Sequence, residues 1–169
     1  MRVVGFTGHR PGGLAAAAHG WLSEVELPRV ADRLAGQTGC EVGISGMALG
    51  ADLWWAQAVA DSPMDLWAYV PFDGHDRRWC APDREVLAGL VATADVRVTV
   101  ADRRLGARAY HMRNDRIVAD CDVLVAVVDP AATCGGAVST LRKARRAGRP
   151  VVWVDPVRRA TRRVGVDGG

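Results

Sequence analysis

The run Asp122-Val123-Leu124-Val125-Ala126-Val127-Val128 decides the fold. After the aspartate, six apolar residues follow without a break, and four of them are valine. A strand with one wet face alternates polar and apolar side chains, whereas a strand covered on both faces reads as a continuous apolar run. The stretch therefore predicts an inner strand of a parallel sheet, with helices on both sides. Soon after it comes Cys134-Gly135-Gly136-Ala137-Val138-Ser139-Thr140, a glycine-bearing loop that opens an amphipathic segment.

The same unit recurs in both directions along the chain. Met1–Phe6, Glu41–Ile44, Asp65–Val70, Val96–Val100 and Pro150–Val154 read as strands. Between them, helices are expected up to about Gly36, over Gly50–Asp61, near Asp83–Ala94, over roughly Ala109–Asp120, and over Gly136–Ala147. Six alternations of strand and helix define an α/β class: one doubly wound, mainly parallel sheet of about six strands, with helices on both faces. The domain is expected over residues 1–156. Residues 157–169 carry four arginines without apolar periodicity and read as a flexible basic tail. Right-handed crossovers place every strand-to-helix loop on one edge, so loops distant in sequence meet in one crevice.

A chain of 169 residues with 49% apolar and 24% charged content is sized for one buried core. The formal charge is only +3, and Lys143 is the sole lysine. An arginine excess of this kind is read first as coding bias, so only arginines in loops count as candidates for bidentate phosphate contacts. No apolar run is long enough to span a bilayer, and the amino terminus lacks a secretory pattern. The four cysteines have no CxxC spacing and suit neither a zinc site nor a disulfide framework. A cytoplasmic protein without a membrane or metal partner is the expectation. Adjacent Trp54 and Trp55 cannot both point inward from one helix, which predicts a subunit contact and a homo-oligomer.

Three strand-to-helix loops supply the candidate ligand contacts. In Gly5-Phe6-Thr7-Gly8-His9-Arg10-Pro11, Thr7 and Gly8 can offer backbone N–H groups to a phosphate, with His9 and Arg10 beside them. In Ser45-Gly46-Met47-Ala48-Leu49-Gly50-Ala51-Asp52, Ser45 and Gly46 are placed to face a ligand. Asp52 has two readings there: a carboxylate stabilised by the helix dipole, or one that orients His9 or Arg10. In the third loop Gly135, Gly136, Ser139 and Thr140 form the best phosphate cradle by mechanism. The long loop Pro71–Trp79 brings Phe72, which either stacks on a base or packs into the core. Arg113 and Asn114 are adjacent on a helix and point about 100° apart, so one can reach the crevice while the other braces a loop. Walker A and GxGxxG fingerprints are both absent.

Together GFTGHRP, ISGMALGADLWWAQ, the Pro71–Trp79 loop, MRNDRIVADCDVLVAV and the GG loop resemble the SLOG superfamily, in its YpsA-like branch. The resemblance runs from Val3 to Pro156. It implies a Rossmann-like fold and a pocket for a nucleotide or a derivative such as NAD, ADP-ribose or a nucleoside monophosphate. The Lonely Guy phosphoribohydrolases and the DprA proteins are more distant relatives. Arg113 is similar to an arginine of the Lonely Guy site, but Leu141, Arg142 and Lys143 stand where its catalytic glutamate is expected. Ala137 also replaces the threonine of the usual GGT.

The expected function is accordingly nucleotide binding or sensing. A nucleotide-processing hydrolase is the alternative, drawing its acid or base from Asp52, Asp129 or His9, with Arg113 as a further catalytic candidate. A nucleic-acid-associated protein is the third reading; it is not favoured, because no continuous basic surface is visible in the sequence.

Overall fold

The computed structural model describes residues 1–165. Seven strands form one sheet: β1 (Val3–Gly8), β2 (Val42–Ser45), β3 (Asp65–Val70), β4 (Val96–Thr99), β5 (Val123–Val127), β6 (Val151–Asp155) and β7 (Ala160–Val164). Their order across the sheet is β4-β3-β2-β1-β5-β6-β7, with every pairing parallel except β6 with β7. The sheet is the doubly wound one expected, enlarged by an antiparallel edge strand.

The helices are α1 (Ala16–Gly20), α2 (Leu27–Thr38), α3 (Ala51–Ala60), α4 (Ala81–Thr93), α5 (Ala107–Asp120) and α6 (Gly136–Arg146). A π-helical turn over Trp21–Glu26 joins α1 to α2. From β1 to β4 the chain steps one way across the sheet, then reverses to β5 and β6. Right-handed crossovers put α1 to α4 on one face and α5 and α6 on the other.

Strand β5 records both layers. Val123, Val125 and Val127 join the core shared with α1 to α4, while Leu124, Ala126 and Val128 join the core beneath α5 and α6. An unbroken apolar run is what period-two alternation requires when both faces are dry. Gly5, paired beside it in β1, carries no side chain where Ile117 and Cys121 of α5 close in; a Cβ there would lie 2.8 Å from Ile117 Cγ2.

One expectation changes. The segment expected as a flexible tail instead turns back at residues 156–159 and pairs as β7, with Val151 opposite Val164 and Asp155 opposite Ala160. Its sequence Ala-Thr-Arg-Arg-Val has no apolar period, so the pattern hides the strand; backbone pairing to β6 and the hydroxyl of Thr161 on buried Glu26 hold it. Residues 166–169 of that expected tail lie outside the described residues. The adjacent tryptophans differ in burial. Trp55 is fully buried and stacks on Phe6 at 5.2 Å, and Trp54 packs on His19 of α1 at 5.2 Å. No helix among the described residues is long and apolar enough to cross a membrane.

Candidate functional site

The sheet order reverses between β1 and β5, and at the carboxyl ends of these strands a cleft of about 720 Å³ opens. Such a switch point spreads neighbouring loops apart, since consecutive connections leave on opposite faces. The β1 loop, the long β3–α4 loop, the start of α5 and the start of α6 all line this cleft.

Of the residues singled out in the sequence, Thr7, Gly8, His9 and Arg10 line it from the β1 side. Asp52 and Phe72 do so from the β2 and β3 loops, and Arg113, Asn114 and Gly136 from the second face. Ser45, Gly46, Asp129, Gly135, Ser139 and Thr140 do not line it, and most are occupied locally. Ser45 is fully buried; its hydroxyl donates to the Asp52 carbonyl at 2.7 Å and accepts the Met47 N–H at 3.1 Å. The Thr140 hydroxyl donates back to the Gly136 carbonyl at 2.8 Å, one turn earlier, which leaves it buried inside α6. Gly135 caps α6 with φ +107°, a backbone region glycine adopts without strain.

The centre of the cleft floor is a buried ion pair. Asp52, in the first turn of α3, lies 3.5 Å from Arg113 of α5. The same guanidinium donates to the Gly46 carbonyl, and its Nε donates to Asn114 Oδ1 at 2.8 Å. Asp52 also accepts the Ala48 N–H at 3.3 Å. Burial pushes the Asp52 carboxyl above its ordinary range, with Arg113 and the Ala48 N–H pulling the other way. Of the two readings of Asp52, neither is complete: it holds neither His9 nor Arg10 by a hydrogen bond but anchors Arg113. Arg113 and Asn114, expected to diverge, are tied together by their own side chains. Gly46 makes room for this pair, because a Cβ there would stand 2.7 Å from Asp52 Oδ2.

His9 works across the switch point. Its Nε2 accepts the Asp129 backbone N–H at 3.1 Å, which requires a neutral ring protonated on Nδ1. Burial lowers the His9 pKa, against the pull of the Asp129 charge. The Asp129 carboxylate itself accepts the Ala131 N–H at 2.8 Å and shapes the β5 turn. His75 hooks the β3–α4 loop onto the β2 loop by donating from Nε2 to the Met47 carbonyl at 3.0 Å. That carbonyl belongs to a buried residue with φ +55°, the left-handed conformation that L residues rarely adopt.

The element absent from the sequence expectations is Tyr110. Arg10 and Arg113 lie 5.7 and 5.9 Å from its ring centroid, and Phe72 meets it edge-on at 5.7 Å. Its spacing of three and four before Arg113 and Asn114 puts it on their helix face, a signal available in the sequence. Arg103, Gly106 and Ala107 were also not foreseen, since they enter the cleft only once β4 is seated at the sheet edge. Arg10, Arg77, Arg78 and Arg103 all line the cavity, and none takes part in a salt bridge among the described residues. No group of three or more His, Cys, Asp or Glu suited to a metal occurs among the described residues.

The fold and cleft together define a Rossmann-like α/β protein with an arginine-lined crevice at its switch point. No protein-family model matches the chain. No curated protein matches it either. Solved structures do. The molybdenum cofactor carrier protein of Chlamydomonas reinhardtii superposes with TM-score 0.58 at 17% identity, over 90% of this chain and 76% of that one. DNA processing protein A of Helicobacter pylori, described with a single-stranded DNA binding mode, gives 0.64 at 18% identity, over 93% and 70%. The Streptococcus pneumoniae DNA processing protein A gives 0.63 at 18% identity; the match takes in 90% of this chain but only 50% of that one. At such identities the likeness establishes the fold, and it is the Rossmann-like fold that the SLOG resemblance implies.

Proposed function

We propose that the protein binds a phosphorylated nucleotide or nucleotide derivative, of the NAD or ADP-ribose type, and leaves it chemically intact. The charge of the cleft carries this reading. Four arginines without a salt-bridge partner among the described residues line a cavity whose only carboxylate among those residues, Asp52, is already held by Arg113. A concave wall of one sign concentrates ligands of the other, and guanidinium groups match phosphate oxygens two at a time. The first turn of α6 adds backbone N–H groups that have no intrahelical acceptor. Tyr110 and Phe72 offer aromatic surface for a base. A cavity of about 720 Å³ also lies in the range of small-molecule sites.

Binding is favoured over hydrolysis by the state of the carboxylates. Cleavage of an N-glycosidic bond calls on a carboxylate to stabilise a cationic sugar or to activate water. Asp52 is buried and paired, and the carboxylate of Asp129 is committed to a turn. A carrier or sensor role also accords with the carrier named among the structural neighbours.

The test is a thermal-shift and calorimetric panel of NAD, ADP-ribose and AMP, followed by chromatography of each compound. A ligand at 100 times its Kd is expected to add about 2.7 kcal/mol. Stabilisation with intact ligand supports the reading. Released base makes the protein a hydrolase, and no stabilisation by any of them overturns the nucleotide reading. Binding of single-stranded DNA that weakens steeply with salt would redirect it to nucleic acid.

A further inference from the structure

We infer that the cleft has two separate anion-binding poles, so that its ligand carries a second phosphate remote from the first; this deepens, and rests on, the nucleotide reading above. The first pole is formed by Gly8, Arg10 and the start of α6 at Gly136. The second is formed by Arg77 and Arg78 of the β3–α4 loop and by Arg103 in the turn that leads into α5.

Their separation follows from helix and sheet geometry. Ala107, Tyr110, His111 and Asn114 all line the cleft, at the i, i+3, i+4, i+7 spacing of one helix face. The Asn114 end meets the first pole: its Nδ2 lies 3.8 Å from where a Cβ on Gly136 would be. The Ala107 end, beside Arg103, lies about 10 Å back along the axis at 1.5 Å per residue. The sheet agrees, because β3 and β1 are two strand positions apart, again about 10 Å. Tyr110 stands between the poles with Arg10 over its ring.

Nearby acids make the second pole a site rather than a chance gathering of charge. Asp73 is taken by Arg97 at 2.6 Å, and Asp76 by Arg84 at 3.2 Å. Asp102 accepts the Arg104 N–H at 2.7 Å. Asp73, Asp76 and Asp102 are thus committed elsewhere, while Arg77, Arg78 and Arg103 line the cavity. Gathered like charges repel, and a phosphate relieves that repulsion through charge-assisted hydrogen bonds. A pyrophosphate, whose phosphorus atoms share one oxygen, cannot reach both poles. A phosphomonoester on the far side of a sugar or nucleoside can.

Two matched pairs test this by calorimetry: NAD with NADP, and AMP with adenosine 3′,5′-bisphosphate. In the unaltered protein, the compound with the extra phosphate should bind about tenfold tighter or more in at least one pair. The exposed double substitution Arg77→Ser/Arg78→Ser, and separately Arg103→Ser, should remove that preference by weakening NADP and the bisphosphate more than NAD and AMP. Equal affinity within both pairs, or a preference that survives both variants, overturns the second pole and leaves the nucleotide reading in place. Failure of all four compounds to bind overturns both.

Discussion

Arg113 of α5 lies 3.5 Å from Asp52 of α3, and it also donates to the carbonyl of Gly46; both charged side chains are more than nine-tenths buried. The pair bridges the two helical layers through the carboxyl edge of the sheet. It therefore fixes the β2 loop against the helix that carries Tyr110. Desolvating two charges is costly, and their attraction offsets that only while both are present.

Removing one partner should expose this dependence. Arg113→Met is expected to destabilise the protein by about 3–5 kcal/mol, because Asp52 is left buried without a counter-charge. The double variant Arg113→Met/Asp52→Leu should recover part of the loss. Urea unfolding of the wild type, both single variants and the double variant gives the coupling directly; additive losses would contradict it.

Gly46→Ala should act on the same pair from the backbone side. The new methyl would stand 2.7 Å from both Arg113 Cζ and Asp52 Oδ2, so a buried ion pair has to shift. Overpacking of this kind costs about 1–3 kcal/mol. Gly12→Ala, where a Cβ meets nothing within 4 Å, serves as the control. Equal melting temperatures for the two variants would show that the pair yields easily.

Acidification should weaken the fold through histidine. Burial lowers the pKa of His9 and of His75, so the unfolded chain binds more protons below their ordinary pKa of about 6.5. Stability should hold above that pH and fall as the pH drops from there towards the lowered folded-state values. Asp52, raised by burial, has the opposite sign: its folded form takes up a proton more readily and gains relative stability in acid. Comparing wild type with His9→Asn isolates the histidine contribution, and the variant should show a shallower loss of stability between about pH 6.5 and 5. Parallel curves would mean that His9 is not the source.

The last strand has its own test. Glu26 is 4% exposed at the end of the π-helical turn, and it accepts from Thr161 of β7 and, at 2.5 Å, from Arg29. Glu26→Ala should loosen β7 and cost about 1–3 kcal/mol. Trypsin should then cut faster at Arg158, Arg159, Arg162 and Arg163, followed by mass spectrometry. An unchanged cleavage rate would show that backbone pairing to β6 alone secures the strand.

What the sequence by itself determined is the layered sheet and the edge on which its loops meet. Continuous apolar strands such as Asp122–Val128 report burial on both faces, and amphipathic segments between them report helices; both are local patterns set by the period of the backbone. The glycine loops were legible for the same reason, since Gly8 and Gly46 mark places where backbone must pass close to something. What they pass close to was decided only by the tertiary structure. Gly46 makes way for Arg113, 67 residues along the chain, rather than opening on the cleft itself. Ser45 and Thr140, polar and well placed in sequence, satisfy their hydroxyls on local carbonyls and turn inward. Tyr110, Arg77, Arg78 and Arg103 become neighbours because the chain reverses after β4 and lays α5 across the other face. The β7 strand likewise depends on a partner, Glu26, that lies 135 residues away. Local periodicity encodes which surfaces are buried; which charges are left unpaired is set by the sum of distant contacts, and in this protein that remainder is an arginine-lined cleft.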